Sequence, residues 1–226
     1  MERPITIATW NVERPHEHSS SVPAINAVLA RYSPDILVLT ETHECIVPGP
    51  GYQVLHSDPL DNENGGTTYR KGERRVSIWT KFPLVKHLAV TDPLTTACAL
   101  IATPAGPLAV FGCIMGVKGR GEGFDRDLMN QMVDLRRLAR EYSVCYAGDL
   151  NLSFSDNYYT KKSARSQLGV LFSLLKMRNL TAEVPENIDH IIVSEAFFRD
   201  TAGPVTCWNE DKKLSDHKGV MVAVRT

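Results

Sequence analysis

Apolar residues fall along this chain mainly in short runs of strand length. They are PITIATW (4–10), DILVLT (35–40), RVSIWT (75–80), TACALIAT (96–103), PLAVFGCI (107–114), SVCYAG (143–148), IDHIIVS (188–194) and GVMVAVR (219–225). Several are apolar on both faces, the pattern of strands covered on each side. Three segments switch to helical period. Ser21 is placed to cap a helix whose Ile25, Val28, Leu29 and Tyr32 follow i, i+3, i+4, i+7. Leu128, Met132, Leu135 and Ala139 form the stripe of a second helix, and Leu168, Leu171, Phe172 and Leu175 that of a third. Such stripes read as core rather than as cofactor sites. Many strands with few helices between them predict an α/β chain of two packed sheets with helices outside. No repeat, low-complexity run or linker divides residues 1–226, so one domain is expected. The segments 41–74 and 115–125 read as long loops, and loops of that length in a compact domain are often functional.

Composition narrows the class. Hydrophobic residues make up 43% of the chain and charged residues 23%, ordinary for a globular protein able to bury a core without staples. The formal net charge of −1 gives no global positive field, which argues against non-specific coating of nucleic acid but leaves room for a local basic groove. Cys45, Cys98, Cys113, Cys145 and Cys207 are odd in number and lack CxxC spacing, and three of them lie in apolar runs. Buried, reduced thiols are expected. There is no signal-peptide pattern and no apolar run of membrane-spanning length, so the expectation is a cytoplasmic protein without a membrane or an obligate protein partner.

The chemistry sits at the strand ends. PITIATW ends in Asn11, DILVLT in Glu41, and SVCYAG in Asp149-Leu150-Asn151; IDHIIVS begins almost at once with Asp189, and Asp216-His217 precedes the last strand. Singly, each is an ordinary turn former. If the last two strands run antiparallel to the first three, all of them meet at one edge of the sheets. Carboxylate and amide oxygens suit Mg²⁺, a hard cation that takes few protein ligands, better than zinc. The imidazole is then free to act on a phosphate or a proton.

In this order TWN (9–11), LTE (39–41), GDLN (148–151), IDHIIVS (188–194) and LSDH (214–217) resemble the endonuclease/exonuclease/phosphatase superfamily, of the pancreatic deoxyribonuclease and exonuclease III type. RRVSIWTKFPL (74–84) resembles its second-sheet strand. The resemblance implies a four-layer α-β-β-α sandwich with two mixed sheets, and hydrolysis of phosphodiesters or phosphomonoesters with a divalent metal, commonly Mg²⁺, with Mn²⁺ as substitute. It implies Glu41 as main metal ligand with Asn11 beside it, and Asp216 as a further ligand or near neighbour. Asp149 would orient or deprotonate the attacking water, Asn151 would hold a phosphate oxygen, and His217 would contact the phosphate, oriented by Asp189.

One departure stands out. Many nucleases of the family carry a His or Tyr at the end of the strand corresponding to PLAVFGCI, whereas FGCIMGVKGRGEG (111–123) has neither. Lys118 or Arg120 is placed to supply positive charge instead, or to be solvated loop. Glu13 can add a carboxylate near the metal. The clusters Arg70, Lys71, Arg74, Arg75 and Lys161, Lys162, Arg165 can track a nucleic-acid backbone or remain solvated charge. Tyr158 and Tyr159 can stack on a base or anchor their loop. The leading expectation is a Mg²⁺-dependent phosphodiesterase on nucleic acid. The alternatives are hydrolysis of a small phosphorylated metabolite, nucleotide or lipid headgroup, and a catalytically silent binding module on the same fold.

Overall fold

A computed structural model describes residues 3–60, 63–64, 67–117, 122–159 and 161–226. The chain runs β1 (Ile5–Asn11), α1 (Val22–Tyr32), β2 (Ile36–His43), β3 (Gln53–His56), β4 (Glu63–Asn64), β5 (Thr67–Thr68), β6 (Glu73–Thr80), β7 (Leu84–His87), β8 (Thr96–Thr103) and β9 (Gly106–Ile114). It continues through α2 (Glu122–Leu138), β10 (Ser143–Asp149), α3 (Lys162–Leu174), β11 (Met177–Asn179), β12 (Asp189–Ser194), β13 (Asp200–Thr201), β14 (Thr206–Trp208) and β15 (Gly219–Arg225). One mixed sheet has the order β13-β15-β1-β2-β6-β3, with β14 also paired to β15. A second has the order β11-β12-β10-β9-β8-β7.

The apolar runs explain the layering. Ile7, Val38, Val76 and Ile78 of the first sheet meet Ala99, Val110, Ala147 and Ile191 of the second in a core in which all eight are wholly buried. Each such aliphatic side chain contributes about 1.5–3 kcal/mol by leaving water. The opposite faces are covered as well. Trp10, Leu37 and Leu39 pack under Ile25 and Leu29 of α1, and Phe111 and Tyr146 pack under Leu128 and Leu135 of α2 and Leu168 and Phe172 of α3. Four layers result, α-β-β-α, as the both-face apolar strands predict.

Strand direction settles where the polar ends go. β1 and β2 pair in parallel, as do β9 and β10. β15 is antiparallel to β1, and β12 is antiparallel to β10. The C-terminal ends of β1, β2 and β10 therefore lie beside the N-terminal ends of β12 and β15.

Three local expectations change. Ser21 makes no capping bond from its side chain; its hydroxyl lies 2.7 Å from the hydroxyl of Ser19, and Pro23 stands in the first turn. The segment 41–74 is not one loop, since β2 extends through His43 and β3 pairs antiparallel with β6. In the segment 115–125, α2 begins at Glu122.

Candidate active site

β1 ends in Asn11, whose side chain joins the two sheets. Its Nδ2 donates to Asp149 Oδ2 at 3.0 Å, and the same side chain hydrogen-bonds Glu41. Its Oδ1 accepts the backbone N–H of Glu13 at 2.9 Å. Asn11, Asp149 and Asp189 are all buried, at 1% exposure each. Glu41 is half-buried and sits at φ 46°, a left-handed conformation that costs a non-glycine residue about 1–3 kcal/mol and persists where surrounding structure enforces it. The backbone N–H of Arg14 on Glu41 O, at 2.7 Å, and that of Val12 on Thr40 O, at 3.0 Å, supply that enforcement.

Asp149 ends β10 directly opposite Asp189, which begins β12. Asp149 Oδ1 accepts the backbone N–H of Asn151 at 2.8 Å. The Asn151 amide donates to Met115 O at 2.7 Å and, more weakly, to Asp149 Oδ2 at 3.3 Å. In this geometry both amide hydrogens are engaged and Asn151 supports Asp149. Gly148 sets the approach. Its φ is 140°, and a Cβ there would lie 1.9 Å from the carbonyl oxygen of Cys113 on β9. Gly148→Ala is expected to destabilise the protein by roughly 4 kcal/mol, combining backbone strain with overpacking of about 1–3 kcal/mol each. An unchanged midpoint in urea unfolding would show that the two strands are not held this close.

His217 Nδ1 lies 2.6 Å from Asp189 Oδ2. Its backbone is fixed from several sides: Trp10 Nε1 donates to its carbonyl at 3.1 Å, Asn209 Nδ2 to the same oxygen at 2.7 Å, and its N–H reaches Ser215 Oγ at 3.1 Å. Ser215 Oγ in turn donates to Asn11 O at 2.7 Å. The loop before β15 is thus fastened to the end of β1. Asp216 points outward, with 69% of its side chain exposed and Oδ1 3.5 Å from His217 Nε2. Its N–H donates to Glu13 Oε2 at 3.1 Å, which brings Glu13 into the site.

Burial governs the electrostatics. It pushes the Asp149 and Glu41 carboxyls above their ordinary range, against the opposing pull of His217 in both cases. For His217 burial alone acts downward, but the Asp189 and Asp149 carboxylates more than reverse it and lift the imidazole to about 10. Asp189 Oδ1 is buried without a hydrogen-bond partner. No described Lys, Arg or His forms an ion pair with Glu41. A carboxylate drawn out of water and bonded by the Asn11 amide, set among further oxygen donors, fits a hard divalent cation. Asp149, Asp189 and His217 also present donor atoms within 4.8 Å of one another. The imidazole, lifted to about 10 and so positively charged at neutral pH, repels a cation there, and the side occupied by Glu41 and Asn11 suits it better.

Lys118 and Arg120 lie outside the described residues. Of the basic cluster at the start of β6, Arg74 and Arg75 are engaged. Arg75 is buried at 2% exposure and donates to Tyr69 Oη at 2.7 Å, and Arg74 pairs with Glu44 at 2.6 Å. In the other cluster Lys161 pairs with Asp125, and Arg165 donates to the carbonyl of Asp156. Arg70, Lys71 and Lys162 are exposed, so each cluster keeps part of its positive charge at the surface while Arg75 is turned inward. Sequence reasoning gave no role to Asp156, although its carboxylate organises the loop after GDLN. The signal available was its position between two serines and a tyrosine, an arrangement rich in local hydrogen bonds.

Two packed mixed sheets with carboxylates, amides and one imidazole gathered at a single end define a sandwich shared by nucleases and phosphatases. Similar solved structures include the endonuclease domain of TRAS1, a telomere-specific non-LTR retrotransposon, at TM-score 0.71 and 16% identity over 98% of each chain. They also include the 3'-5' exonuclease NExo from Neisseria meningitidis, at TM-score 0.69 and 18% identity over 98% of this chain and 100% of that one. An AP endonuclease from Archaeoglobus fulgidus follows at TM-score 0.71 and 15% identity, over 98% and 100%. At these identities the likeness is one of fold. No curated protein matches the chain in sequence. The model of the Endonuclease/Exonuclease/phosphatase family matches residues 8–217, and the chain belongs to that family. Enzymes of this family are phosphoester hydrolases that generally depend on a divalent metal. No helix among the described residues is long and apolar enough to cross a membrane.

Proposed function

We propose that this protein is a Mg²⁺-dependent phosphodiesterase that hydrolyses nucleic acid by attack of water. The observation that carries the reading is the convergence of Asn11 and Glu41 from one sheet and Asp149 and Asp189 from the other around His217. A site with this inventory answers the two needs of phosphoryl transfer, an oriented nucleophile and neutralised non-bridging oxygens.

Glu41 and Asn11 would hold the cation, with Asp216 and Glu13 at its outer side. When bound, the cation supplies positive charge to the phosphoryl oxygens and acidifies water. Asp149, held by Asn11 and by the N–H of Asn151, has a carboxylate aimed into the site to orient the attacking water and take its proton. Asp189 holds His217 by Nδ1, which leaves Nε2 to donate to a phosphate oxygen. Asn151 keeps Asp149 in place through its bonds to Met115 and Asp149.

A second reading, hydrolysis of a small phosphoester, is favoured by the net charge of −1 and by the engagement of Arg74 with Glu44 and of Lys161 with Asp125. A panel of DNA, RNA and small phosphoesters, each assayed with Mg²⁺, Mn²⁺ and chelator, separates the two. Expected is cleavage of nucleic acid with Mg²⁺, lost in chelator and restored by adding the metal back. Preference for a small ester moves the substrate to the second reading. No hydrolysis with any metal, together with no thermal stabilisation by Mg²⁺, overturns both and leaves a binding module.

A further inference from the structure

An open groove runs from Asp189, Asp216 and His217 of the proposed site past residues that the proposed chemistry does not use. Tyr158, Glu186, Lys212, Asp216 and Lys218 form its walls, and Asp189 and His217 its floor. His217 is part of its lining, so a substrate whose phosphate lies at His217 can place its neighbouring unit in this groove. The groove is polar, and Ile188 is the aliphatic residue in its lining. A lipid tail would find little apolar wall there.

The groove is built rather than incidental. One carboxylate, Asp156, ties two of its walls together: Oδ1 accepts the backbone N–H of Tyr158 at 2.9 Å, and Oδ2 accepts that of Glu186 at 2.7 Å. Ser153 Oγ donates to Oδ1 at 2.5 Å. These bonds hold the Asp156 carboxyl well below its usual range, which is the mark of an anion satisfied as an anion. Tyr158 is 37% exposed, and its hydroxyl accepts Lys212 Nζ at 3.0 Å. That bond holds the phenol at its far end, the Tyr159 ring lies 5.3 Å away at 53°, and the part of the Tyr158 ring still exposed is the platform. Lys218 Nζ donates to Pro185 O at 3.1 Å from the next loop.

Charge does not decide the ligand. Lys212 and Lys218 are offset by Glu186 and Asp216, and His217 by Asp189, so the groove is close to neutral. A bare polyanion gains little there. A flat π-system on Tyr158 gains about 1–3 kcal/mol, the range measured for bases on aromatic side chains. Duplex DNA keeps its bases stacked and would have to extrude one to use the platform. We infer that the groove binds a nucleotide whose base is unpaired, stacking that base on Tyr158 while its phosphate lies at His217. This rests on the phosphodiesterase reading and narrows its substrate to single-stranded, frayed or terminal nucleotides, or to a free nucleotide.

Binding measured by fluorescence anisotropy in chelator tests this without hydrolysis. The probes are a labelled single-stranded oligonucleotide, the same strand with abasic positions, and its duplex, with a nucleoside monophosphate as competitor. The intact single strand is expected to bind at least about tenfold more tightly than the abasic strand or the duplex, with weak dependence on salt. Tyr158→Ala is expected to weaken the single strand by about 5- to 150-fold and erase the preference over the abasic strand, whereas Tyr158→Phe keeps it. Displacement by the monophosphate at the oligonucleotide's own dissociation constant assigns the free nucleotide as ligand. Equal binding by wild type and Tyr158→Ala, equal binding of intact and abasic strands, or preference for duplex overturns the inference. Base-dependent binding without hydrolysis under any metal leaves the inference standing and sinks the phosphodiesterase reading instead.

Discussion

His217→Ala is expected to lower kcat by about 10²–10³, the usual loss when one preorganised charge-stabilising donor is removed. Asp149→Asn is expected to do the same by removing the group that takes the water's proton. The two should differ in stability. Removing the imidazole leaves Asp189, at 1% exposure, without the partner on Oδ2 and already without one on Oδ1. Breaking a buried pair from one side costs roughly 3–5 kcal/mol, which a carboxyl limits by taking up a proton. The double variant His217→Ala/Asp189→Asn should therefore recover stability in thermal melts without recovering activity in single-turnover assays. That separation is what a catalytic imidazole predicts and a merely structural one does not. Near-wild-type turnover by His217→Ala in saturating Mg²⁺ would remove His217 from the mechanism.

The second large effect concerns pH and stability. His190 is wholly buried, its Nε2 2.9 Å from Leu152 O and its Nδ1 3.1 Å from Thr181 Oγ1. Burial pushes its imidazole down to about 4, although its bonds to backbone carbonyls act the other way. The folded pKa thus lies below the unfolded value of about 6.5, so between the two the unfolded chain binds more protons. The contribution of the neutral imidazole is complete above about pH 6.5 and is lost as pH falls towards 4, amounting to about 3 kcal/mol. Asp149 and Glu41, shifted upward, pull in the opposite direction, so the comparison is made against His190→Gln, which shares them. The gap in unfolding free energy between the two proteins is expected to narrow by about 3 kcal/mol from pH 7 to pH 4. Parallel curves, or a His190 imidazole titrating near its ordinary value by NMR, would overturn it. The effect reaches the site because His190 follows Asp189 and ties β12 to Leu152, the start of the loop carrying Asp156 and Tyr158.

Legibility varied with the length and burial of each segment. The long central strands were plain because both of their faces are apolar, whereas β3 and β7, four residues each and partly or mostly exposed, carry no such signal. Five polar strand ends in order were enough to name the family and to gather Asn11, Glu41, Asp149, Asp189 and His217, which the fold does bring together. Individual side chains were less readable. Arg75 looked like surface charge and is buried on Tyr69, and Asn151 looked like a phosphate donor and has both hydrogens engaged. Ser21 had the right type and position for a cap, yet its hydroxyl lies against Ser19.

What the sequence by itself determined was therefore the layered sandwich, the polar edge and the class of chemistry. These follow from periodicity and from residue type at strand ends, and both are written locally. Only the tertiary structure decided that Asn11 bridges the two sheets, that the pairing of Asp189 with His217 implied by the resemblance closes at 2.6 Å, and that Asp156 fastens Tyr158 across from Lys212. Those are contacts between residues 28 to 138 positions apart, or between loops whose paths depend on their anchors. Hydrogen-bond geometry at such separations is set by strand direction and packing, which no local pattern encodes.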